Sequence, residues 1–258
     1  MGYGQCSVNA GNDTTICRGA SFTRTATTPV VNPNFKWYLS GNPGTTLSTT
    51  ASINISPSSS GVFDYVVEVT SGSCTITDIV KITVNTLPSV SISANPNSIC
   101  PGGTTTLTAS GADSYTWSPS SNLSSTSGAS VNTLPASSQI TYSVVGLNNA
   151  TNCSSSANTT INIKPAPISS FTYSPNTGCP KRKRKLFFTS TAQSNGTGNL
   201  TYSWNFGDPN SGSKNTSTDN NPEHSFIGNG FNTTGTFVVT LTVTGQNGCS
   251  STSSQTIS

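Results

Sequence analysis

The chain has 258 residues, of which 31% are hydrophobic and only 7% are charged, and its formal net charge is +3. Ordinary globular proteins carry roughly 25% charged residues, so the polarity here comes mainly from hydroxyl and amide side chains. The low charge argues against disorder, because disordered chains are usually rich in charge. No apolar run approaches the roughly 18 residues of a membrane-spanning helix, so we expect no membrane insertion.

The two ends of the sequence predict a processed or longer parent protein. Met1-Gly2-Tyr3-Gly4 lacks the apolar stretch of a secretory signal. Ile82 and Ile161 are each followed, two places on, by another apolar residue, whereas the equivalent Ile257 is followed only by Ser258. We therefore expect either that a signal has been removed or that the chain is a piece of a longer protein.

One pattern occurs three times along the chain. Each copy contains a cysteine, an aromatic-x-tryptophan pair, an aromatic residue in an alternating stretch, and a second cysteine. The copies are Cys17…Phe35-x-Trp37…Tyr65…Cys74, Cys100…Tyr115-x-Trp117…Tyr142…Cys153 and Cys179…Tyr202-x-Trp204…Phe237…Cys249. A repeat of about 80 residues with these features is typical of small β-sandwiches. It predicts three tandem immunoglobulin-like β-sandwiches, with domains at residues 1–86, 87–164 and 165–258.

Strand periodicity is clearest in the stretch before the second cysteine of each copy. Residues 237–243 are apolar at every odd position and mostly threonine at the even ones, and residues 63–69 and 140–144 show the same alternation. This is the pattern of a strand with one buried and one solvated face. No convincing amphipathic helix occurs, so the prediction is all-β, with Trp37, Trp117 and Trp204 in the three cores.

Six of the seven cysteines belong to the repeat: Cys17, Cys74, Cys100, Cys153, Cys179 and Cys249. The sequence does not fix their connectivity, but the repeat favours one disulfide inside each module. Small modules with lean cores commonly depend on disulfides, and each would stabilise its module by roughly 4 kcal/mol in the chain-entropy model. Such bonds persist in oxidising compartments, so we expect a secreted or surface-displayed protein.

Cys6 is the cysteine outside the repeat. It is either unpaired or joined to another chain. If the protein polymerises, Cys6 is the first candidate for an intermolecular link.

The seams between the modules are short and contain proline. They read Asn85-Thr86-Leu87-Pro88 and Lys164-Pro165-Ala166-Pro167. Neither is a flexible Gly/Ser linker, so neighbouring modules should be held stiffly. The same phrase follows each seam, as Pro96-Asn97-x-x-Cys100-Pro101 and as Pro175-Asn176-x-x-Cys179-Pro180.

Few residues are candidates for catalysis or metal binding. His224 is the one histidine, and a catalytic base would need a nucleophile and an orienting carboxylate beside it. Asp208, Asp219 and Glu223 form the only acidic cluster in the sequence. Their oxygen-rich loop makes Asp208 and Asp219 weak calcium candidates, but it lacks the alternating acidic spacing of a dedicated calcium loop. We expect no catalytic site and no required cofactor.

A basic run stands out in the third module. It carries five of the eleven positive charges, on Lys181, Arg182, Lys183, Arg184 and Lys185. One interpretation is a solvated strand edge that discourages unwanted pairing. The other is contact with an acidic polysaccharide, lipopolysaccharide or a neighbouring subunit. Nucleic-acid binding is not expected, because the run leads directly into the apolar stretch Leu186-Phe187-Phe188, so at most alternate side chains project together.

The third module contains the motif Tyr202-Ser203-Trp204-Asn205-Phe206-Gly207-Asp208. This motif resembles the W-x-F-G-D signature of the PKD domain, although Asn205 and Pro209 depart from that family's usual residues. Asn221-Pro222-Glu223-His224-Ser225-Phe226 and the 234–243 strand match two further motifs in the right order. The resemblance implies a structural, turn-stabilising role for His224. Ala10-Gly11-Asn12-Asp13-Thr14-Thr15-Ile16-Cys17 gives the first two modules a looser resemblance to cysteine-bearing immunoglobulin-like repeats of Bacteroidetes surface proteins.

These features together predict a non-catalytic extracellular structural or adhesive protein. Three modules held stiffly in a row would form a rod that acts as a cell-surface spacer or filament subunit. Its partners would be further copies of the same chain or other surface proteins. The alternative is a carbohydrate-binding accessory module of a secreted hydrolase, which needs an exposed aromatic platform. The aromatic residues left over from the cores are Tyr3, Tyr38, Tyr173 and Phe231. An enzyme with an unfamiliar site would depend on Asp208 and Glu223.

Overall fold

The structure is a computed structural model that describes residues 6–175, 185–227 and 236–257. These residues form three separate hydrophobic cores along the chain, each enclosed by two β-sheets. The all-β prediction and the three immunoglobulin-like sandwiches are confirmed. In the described residues the helical content is limited to a short 3-10 segment, Pro209–Asn215.

Module 1 contains six strands in two sheets. They are β1 Thr14–Cys17, β2 Phe22–Thr25, β3 Asn34–Leu39, β4 Ser52–Ile55, β5 Gly61–Ser71 and β6 Cys74–Asn85. One sheet has the order β1-β6-β5-β3 and the other pairs β2 with β4. The β5–β6 hairpin is the longest pairing, and its alternating inward residues reach the core around the fully buried Trp37.

Module 2 repeats this plan with seven strands. They are β7 Ser91–Asn95, β8 Ser98–Ile99, β9 Thr106–Ser110, β10 Ser114–Ser118, β11 Ser130–Asn132, β12 Ile140–Asn148 and β13 Cys153–Ile163. The sheets have the orders β10-β12-β13-β8 and β11-β9-β7. Trp117, Tyr142 and Leu107 lie at the centre of its core.

Module 3 has seven described strands. They are β14 Phe171–Ser174, β15 Lys185–Ser190, β16 Leu200–Asn205, β17 Thr216–Ser217, β18 Glu223–Ser225, β19 Phe237–Gly245 and β20 Ser250–Ile257. The sheets have the orders β14-β15-β18 and β17-β16-β19-β20. Its core is the most aromatic of the three. In it, Trp204 packs edge-on against Phe171 with ring centroids 5.0 Å apart, and Phe188 contacts both rings.

The two ends of a module are set by its last strand. In module 1 the short strand β1 runs parallel to β6, with Cys17 beside Asn85. In module 2, β8 runs parallel to β13, with Ile99 beside Ile163. We call the end where the last strand begins the leading pole and the end where it finishes the trailing pole. In modules 1 and 2 the first cysteine of the repeat therefore lies at the trailing pole and the second at the leading pole, and Cys249 of module 3, just before β20, lies at a leading pole.

The three tryptophans occupy the predicted core positions. Trp37, Trp117 and Trp204 are all buried, and the indole N–H groups of Trp117 and Trp204 donate to the carbonyls of Gly128 and Asp219, each at 2.9 Å. In the parts of the chain that the structure describes, no helix has the length and apolarity needed to cross a membrane.

Candidate functional site at the module junctions

Two of the three disulfides in the described residues connect neighbouring modules. Cys17 of module 1 bonds Cys153 of module 2, with Cα atoms 5.6 Å apart. Cys100 of module 2 bonds Cys249 of module 3, with Cα atoms 5.4 Å apart. Each bond joins the trailing pole of one module to the leading pole of the next. We call these two bonds the junction clamps.

The predicted pairing within each module is therefore wrong for Cys17 with Cys74 and for Cys100 with Cys153. Cys74 and Asn85 are the two ends of a 12-residue strand, so they stand about 36 Å apart at roughly 3.3 Å per residue. Since Cys17 lies beside Asn85, it is equally far from Cys74. A disulfide tolerates a Cα separation of about 7 Å at most, so the fold itself forbids that pairing.

Cys6 is also placed differently from the prediction. It is not a link between copies in this structure but bonds Cys74 within module 1, with Cα atoms 6.0 Å apart. The predicted Cys179–Cys249 pair is replaced by the Cys100–Cys249 clamp. Cys179 itself lies outside the described residues. In modules 1 and 2 the first cysteine stands at the end of a short strand and the second at the start of the last strand. The parallel pairing of those two strands places the cysteines at opposite poles, and the sequence carries no signal for that pairing.

The first junction is supported by contacts between the seam and the leading pole of module 2. Ser155 donates its hydroxyl hydrogen to the carbonyl of Pro88. Gly111 has φ +94°, and a Cβ there would lie 1.9 Å from the carbonyl oxygen of Ser89. Glycine at that turn therefore lets the seam backbone pack directly on the module, which fixes the direction in which the chain enters it.

The second junction is held in the same way. Asn247, in the turn before Cys249, donates through Nδ2 to the carbonyl of Pro165 at 2.8 Å. Asn195 donates through Nδ2 to the carbonyl of Ala166 at 3.0 Å, and Lys164 Nζ lies 3.5 Å from the carbonyl oxygen of Asn247. Two turns of module 3 thus hold the seam by its backbone carbonyls, beside the clamp.

A buried polar pair organises the far end of module 3. Asp208 is fully buried, and its Oδ2 accepts from the backbone N–H of Ile227 at 2.8 Å and lies 3.1 Å from His224 Nε2. The His224 ring stacks on Phe206 with centroids 4.3 Å apart and meets Phe226 edge-on at 4.6 Å. This network ties the 3-10 segment after Asp208 to β18 and the loop that follows it.

Burial is the main influence on the pKa of His224. Loss of solvent around the ring lowers this pKa below its ordinary value, while the hydrogen bond and charge of Asp208, and a further bond to the backbone of Lys214, partly oppose the change. A neutral imidazole that holds a buried carboxylate in place is a structural element. The predicted turn-stabilising role of His224 fits this geometry.

Comparison with known proteins identifies two of the modules. A family model described as a PKD domain matches residues 166–258, and one described as an Ig-like domain, CHU_C associated, matches residues 5–88. The third module is a PKD domain. The first is a CHU_C-associated Ig-like domain, so the predicted family resemblance is confirmed for the first and third modules. Neither matched family is a catalytic one, and no curated protein matches the chain.

Solved structures resemble single modules or the whole array. The PKD1 domain of the Vibrio cholerae metalloprotease PrtV is 30% identical over 36% of this chain and 95% of its own, with a TM-score of 0.27. Three consecutive immunoglobulin domains of titin align over 94% of both chains at 13% identity and a TM-score of 0.39. A calcium-stabilised, ice-binding adhesin of an Antarctic bacterium aligns over 99% of this chain and 74% of its own, at 14% identity and a TM-score of 0.40.

The acidic candidates of the PKD module are engaged in structural contacts. Asp208 Oδ2 contacts the His224 ring and accepts a hydrogen bond from the Ile227 N–H. Asp219 is exposed and its Oδ2 accepts from the hydroxyl of Ser217 at 3.3 Å, and Glu223 forms an ion pair with Lys185 at 2.5 Å. Within residues 6–175, 185–227 and 236–257, no group of three or more His, Cys, Asp or Glu side chains is placed to hold a metal ion.

The basic run is described only at its last residue. Residues Lys181, Arg182, Lys183 and Arg184 lie outside the described residues. Lys185 begins β15, which is the middle strand of its sheet. Its ammonium group also lies 5.6 Å from the ring centroid of Phe187. Lys185 pairs with Ser225 of β18 on one side, and the position opposite it on the β14 side lies outside the described residues. Both interpretations of the run, a strand edge and contact with a polyanion or a subunit, therefore stay predictions.

The aromatic residues left over from the cores divide in two. Tyr38 is half-buried and has Lys36 Nζ 5.2 Å from its ring centroid, and Tyr173 packs against Phe188 at 6.1 Å. Tyr3 and Phe231 lie outside the described residues. The two described tyrosines thus lie in different modules and not on a shared aromatic platform.

Proposed function

We propose that this chain is a non-catalytic extracellular structural protein, a stiff rod of β-sandwiches that acts as a cell-surface spacer or filament subunit. The observation that carries the proposal is the pair of junction clamps, Cys17–Cys153 and Cys100–Cys249. Ig-like and PKD modules joined by disulfides fit an extracellular location.

The clamps stiffen the rod through simple geometry. Two bodies joined by one flexible chain can bend and twist in all directions. Here neighbouring modules are joined twice, by the seam and by a disulfide that starts beside it, since Cys17 lies next to Asn85. Two covalent connections allow less bending and twisting than one. Hydrogen bonds such as Asn247 to Pro165, at 2.8 Å, oppose the remaining motion.

The direction of each clamp favours an extended array. Because a trailing pole is bonded to a leading pole, the long axes of neighbouring modules follow one another. With a module length of about 36 Å, set by strands such as β6, three modules give a rod of ~110 Å. The low charge of the surface adds little mutual repulsion between rods that pack side by side.

Small-angle X-ray scattering on matched variants tests this proposal. The double variant Cys17→Ser/Cys153→Ser opens the first junction, whereas Cys6→Ser/Cys74→Ser removes one disulfide and leaves both junctions closed. We expect a maximum dimension of ~110 Å for the wild type, a broadened distance distribution for the junction variant, and an unchanged one for the control. A junction variant as stiff as the wild type, or a wild type that already scatters as a flexible chain, would contradict the proposal.

A further inference from the structure

A groove of about 460 Å³ lies at the second junction. Its walls come from module 2, from the seam and from module 3, which contributes Asn195. Pro101, next to the clamp residue Cys100, also lines it. The volume falls within the range of small-molecule sites, roughly 300–1,000 Å³. The groove exists only while the two modules are docked, so the clamp and the seam contacts hold it in shape.

The side chains that module 2 places around the groove are polar and uncommitted. The hydroxyls of Ser137 and Ser138 and the amides of Gln139 and Asn162 line it. In the part of the chain that the structure describes, these four side chains make no hydrogen bond to the protein. All four residues are exposed. They offer donors and acceptors of both kinds to a ligand that carries many hydroxyl groups.

Lys164 is the charged residue of the groove. The other residues that line it are uncharged, and none is acidic. Its Nζ lies 3.5 Å from the carbonyl oxygen of Asn247, a long contact that uses at most one of the three N–H donors of an ammonium group. No carboxylate of the described residues forms an ion pair with it. The groove therefore presents a positive charge without an internal counter-ion, which favours an anionic group on the ligand.

The backbone around the groove is already engaged. The carbonyls of Pro165 and Ala166 accept the side-chain amides that hold the seam, and the Lys164 N–H donates to the carbonyl of Ile99 at 2.8 Å. A peptide that binds as an added strand needs free backbone N–H and C=O groups. A saccharide instead uses side-chain amides and hydroxyls, which are the groups left free here.

We infer that this groove binds a short segment of an acidic polysaccharide. A uronate carboxylate of the ligand lies on the Lys164 ammonium, and the sugar hydroxyls bind the free side chains of Ser137, Ser138, Gln139 and Asn162. Because the walls belong to two modules, a bound segment also bridges the junction and opposes its bending. The inference goes beyond the proposed rod, since it adds a ligand and holds for a spacer and for a filament subunit alike.

Isothermal titration calorimetry of the full chain with digalacturonate, in about 0.15 M salt to screen long-range attraction, tests the inference. The control ligand is the fully methyl-esterified disaccharide, which keeps the hydroxyls and loses the charges. We expect the acid to bind at least about tenfold more tightly than the ester. Lys164→Met should abolish this preference and Lys164→Arg should retain it. Lys81→Met, at an exposed lysine of module 1, is the matched control and should bind as the wild type does.

A variant of the neutral part of the groove completes the set. Gln139→Ala should weaken the acid and the ester alike, by about threefold, because it removes a hydrogen bond to a sugar hydroxyl and leaves the charge contact. Loss of the acid alone in this variant would contradict the assigned roles.

Four results would overturn the inference. They are no binding of the acid at millimolar concentration, equal binding of acid and ester, binding of the acid that survives Lys164→Met, and equally tight binding of a triglutamate peptide. The third would place the ligand on another basic part of the chain, and the fourth would assign the groove to acidic peptides. The scattering test of the rod uses no ligand, so failure of this inference and failure of the rod are separate outcomes.

Discussion

Cys17 and Cys153 are separated by 136 residues in the sequence, yet their Cα atoms lie 5.6 Å apart because one is at the trailing pole of module 1 and the other at the leading pole of module 2. In the chain-entropy model a cross-link over a loop of this size stabilises the folded array by about 5 kcal/mol. Its larger consequence is mechanical. It adds a second covalent connection beside the seam, which further limits the relative motion of the two modules.

Two adjacent phenylalanines in β15 provide a matched pair for the PKD core. Phe188 is 1% exposed among Phe171, Trp204 and Phe206, whereas Phe187 is 53% exposed on the opposite face. Phe188→Ala should reduce the free energy of unfolding of the module by about 3–5 kcal/mol, because it leaves a cavity. Phe187→Ala should cost less than about 1 kcal/mol. Hydrogen exchange of the β19 amides measures both, and equal costs would contradict the assigned faces of the strand.

Asp208 should be the most sensitive carboxylate in the chain. Asp208→Ala removes the acceptor of Ile227 N–H and leaves the buried His224 ring without its partner. We expect a loss of about 3 kcal/mol or more in the stability of the PKD module. Asp219→Asn, at an exposed carboxylate, is the control and should change stability by less than about 1 kcal/mol. Denaturant unfolding compares the two, and a harmless Asp208→Ala would show that the network does not hold the loop.

The stability of the PKD module should fall as the pH drops below the ordinary pKa of histidine. Burial lowers the pKa of His224 in the folded state from 6.5, so the unfolded chain takes up a proton first. The unfolded state therefore binds more protons between pH 6.5 and the lower folded pKa, and stability decreases as pH falls through that window. Above the window the contribution is fully present.

The thermal midpoint of the PKD module, followed between about pH 5 and 8, checks this dependence. His224→Gln should flatten the slope in this window, whatever it does to the absolute midpoint. A wild-type midpoint that rises as the pH falls would contradict the assignment, because it would mean that the charge of Asp208 outweighs burial.

The turn glycine at the first junction should be intolerant of a side chain. Gly111→Ala places a Cβ against the carbonyl of Ser89 at a positive φ, so we expect the seam to be displaced from module 2. Gly102→Ala is the matched control, because Gly102 has φ +79° but no atom within 4 Å of the added Cβ. The control should show only the backbone cost of about 1 kcal/mol, whereas Gly111→Ala should also increase hydrogen exchange of the seam amides. Equal exchange in the two variants would contradict the close packing of the seam.

The sequence predicted the features that depend on local pattern. The alternation around residues 63–69 and 237–243 and the aromatic-x-tryptophan pairs are set by which face of a strand is buried, and the structure has those strands and a buried tryptophan in each core. The motif around Asp208 and His224 identified the PKD module. The resemblance predicted a turn-stabilising role for His224, but the contact of His224 with Asp208 and the hydrogen bond from Ile227 N–H to Asp208 were not predicted, because they depend on a loop that carries no sequence pattern of its own.

The disulfide pairing could not be predicted from the repeat. A repeat shows which residues are equivalent, not which equivalent residues meet. Cys17 and Cys74 belong to one repeat but to opposite poles, and this depends on the parallel pairing of β1 with β6, which brings Cys17 beside Asn85. The bond between Cys6 and Cys74 could not be predicted either, because the segment before β1 has no strand pattern that would place Cys6 in the fold.

The most direct test of the clamped rod is a disulfide map of the unreduced protein. Cleavage before aspartate together with cleavage after aromatic residues separates all seven cysteines, because Asp13, Asp64, Asp78, Asp113 and Asp208 and the aromatic pair Phe171 and Tyr173 lie between them. The structure predicts linked peptides that contain Cys17 with Cys153 and Cys100 with Cys249. Peptides that join Cys17 to Cys74 and Cys100 to Cys153 would contradict the account.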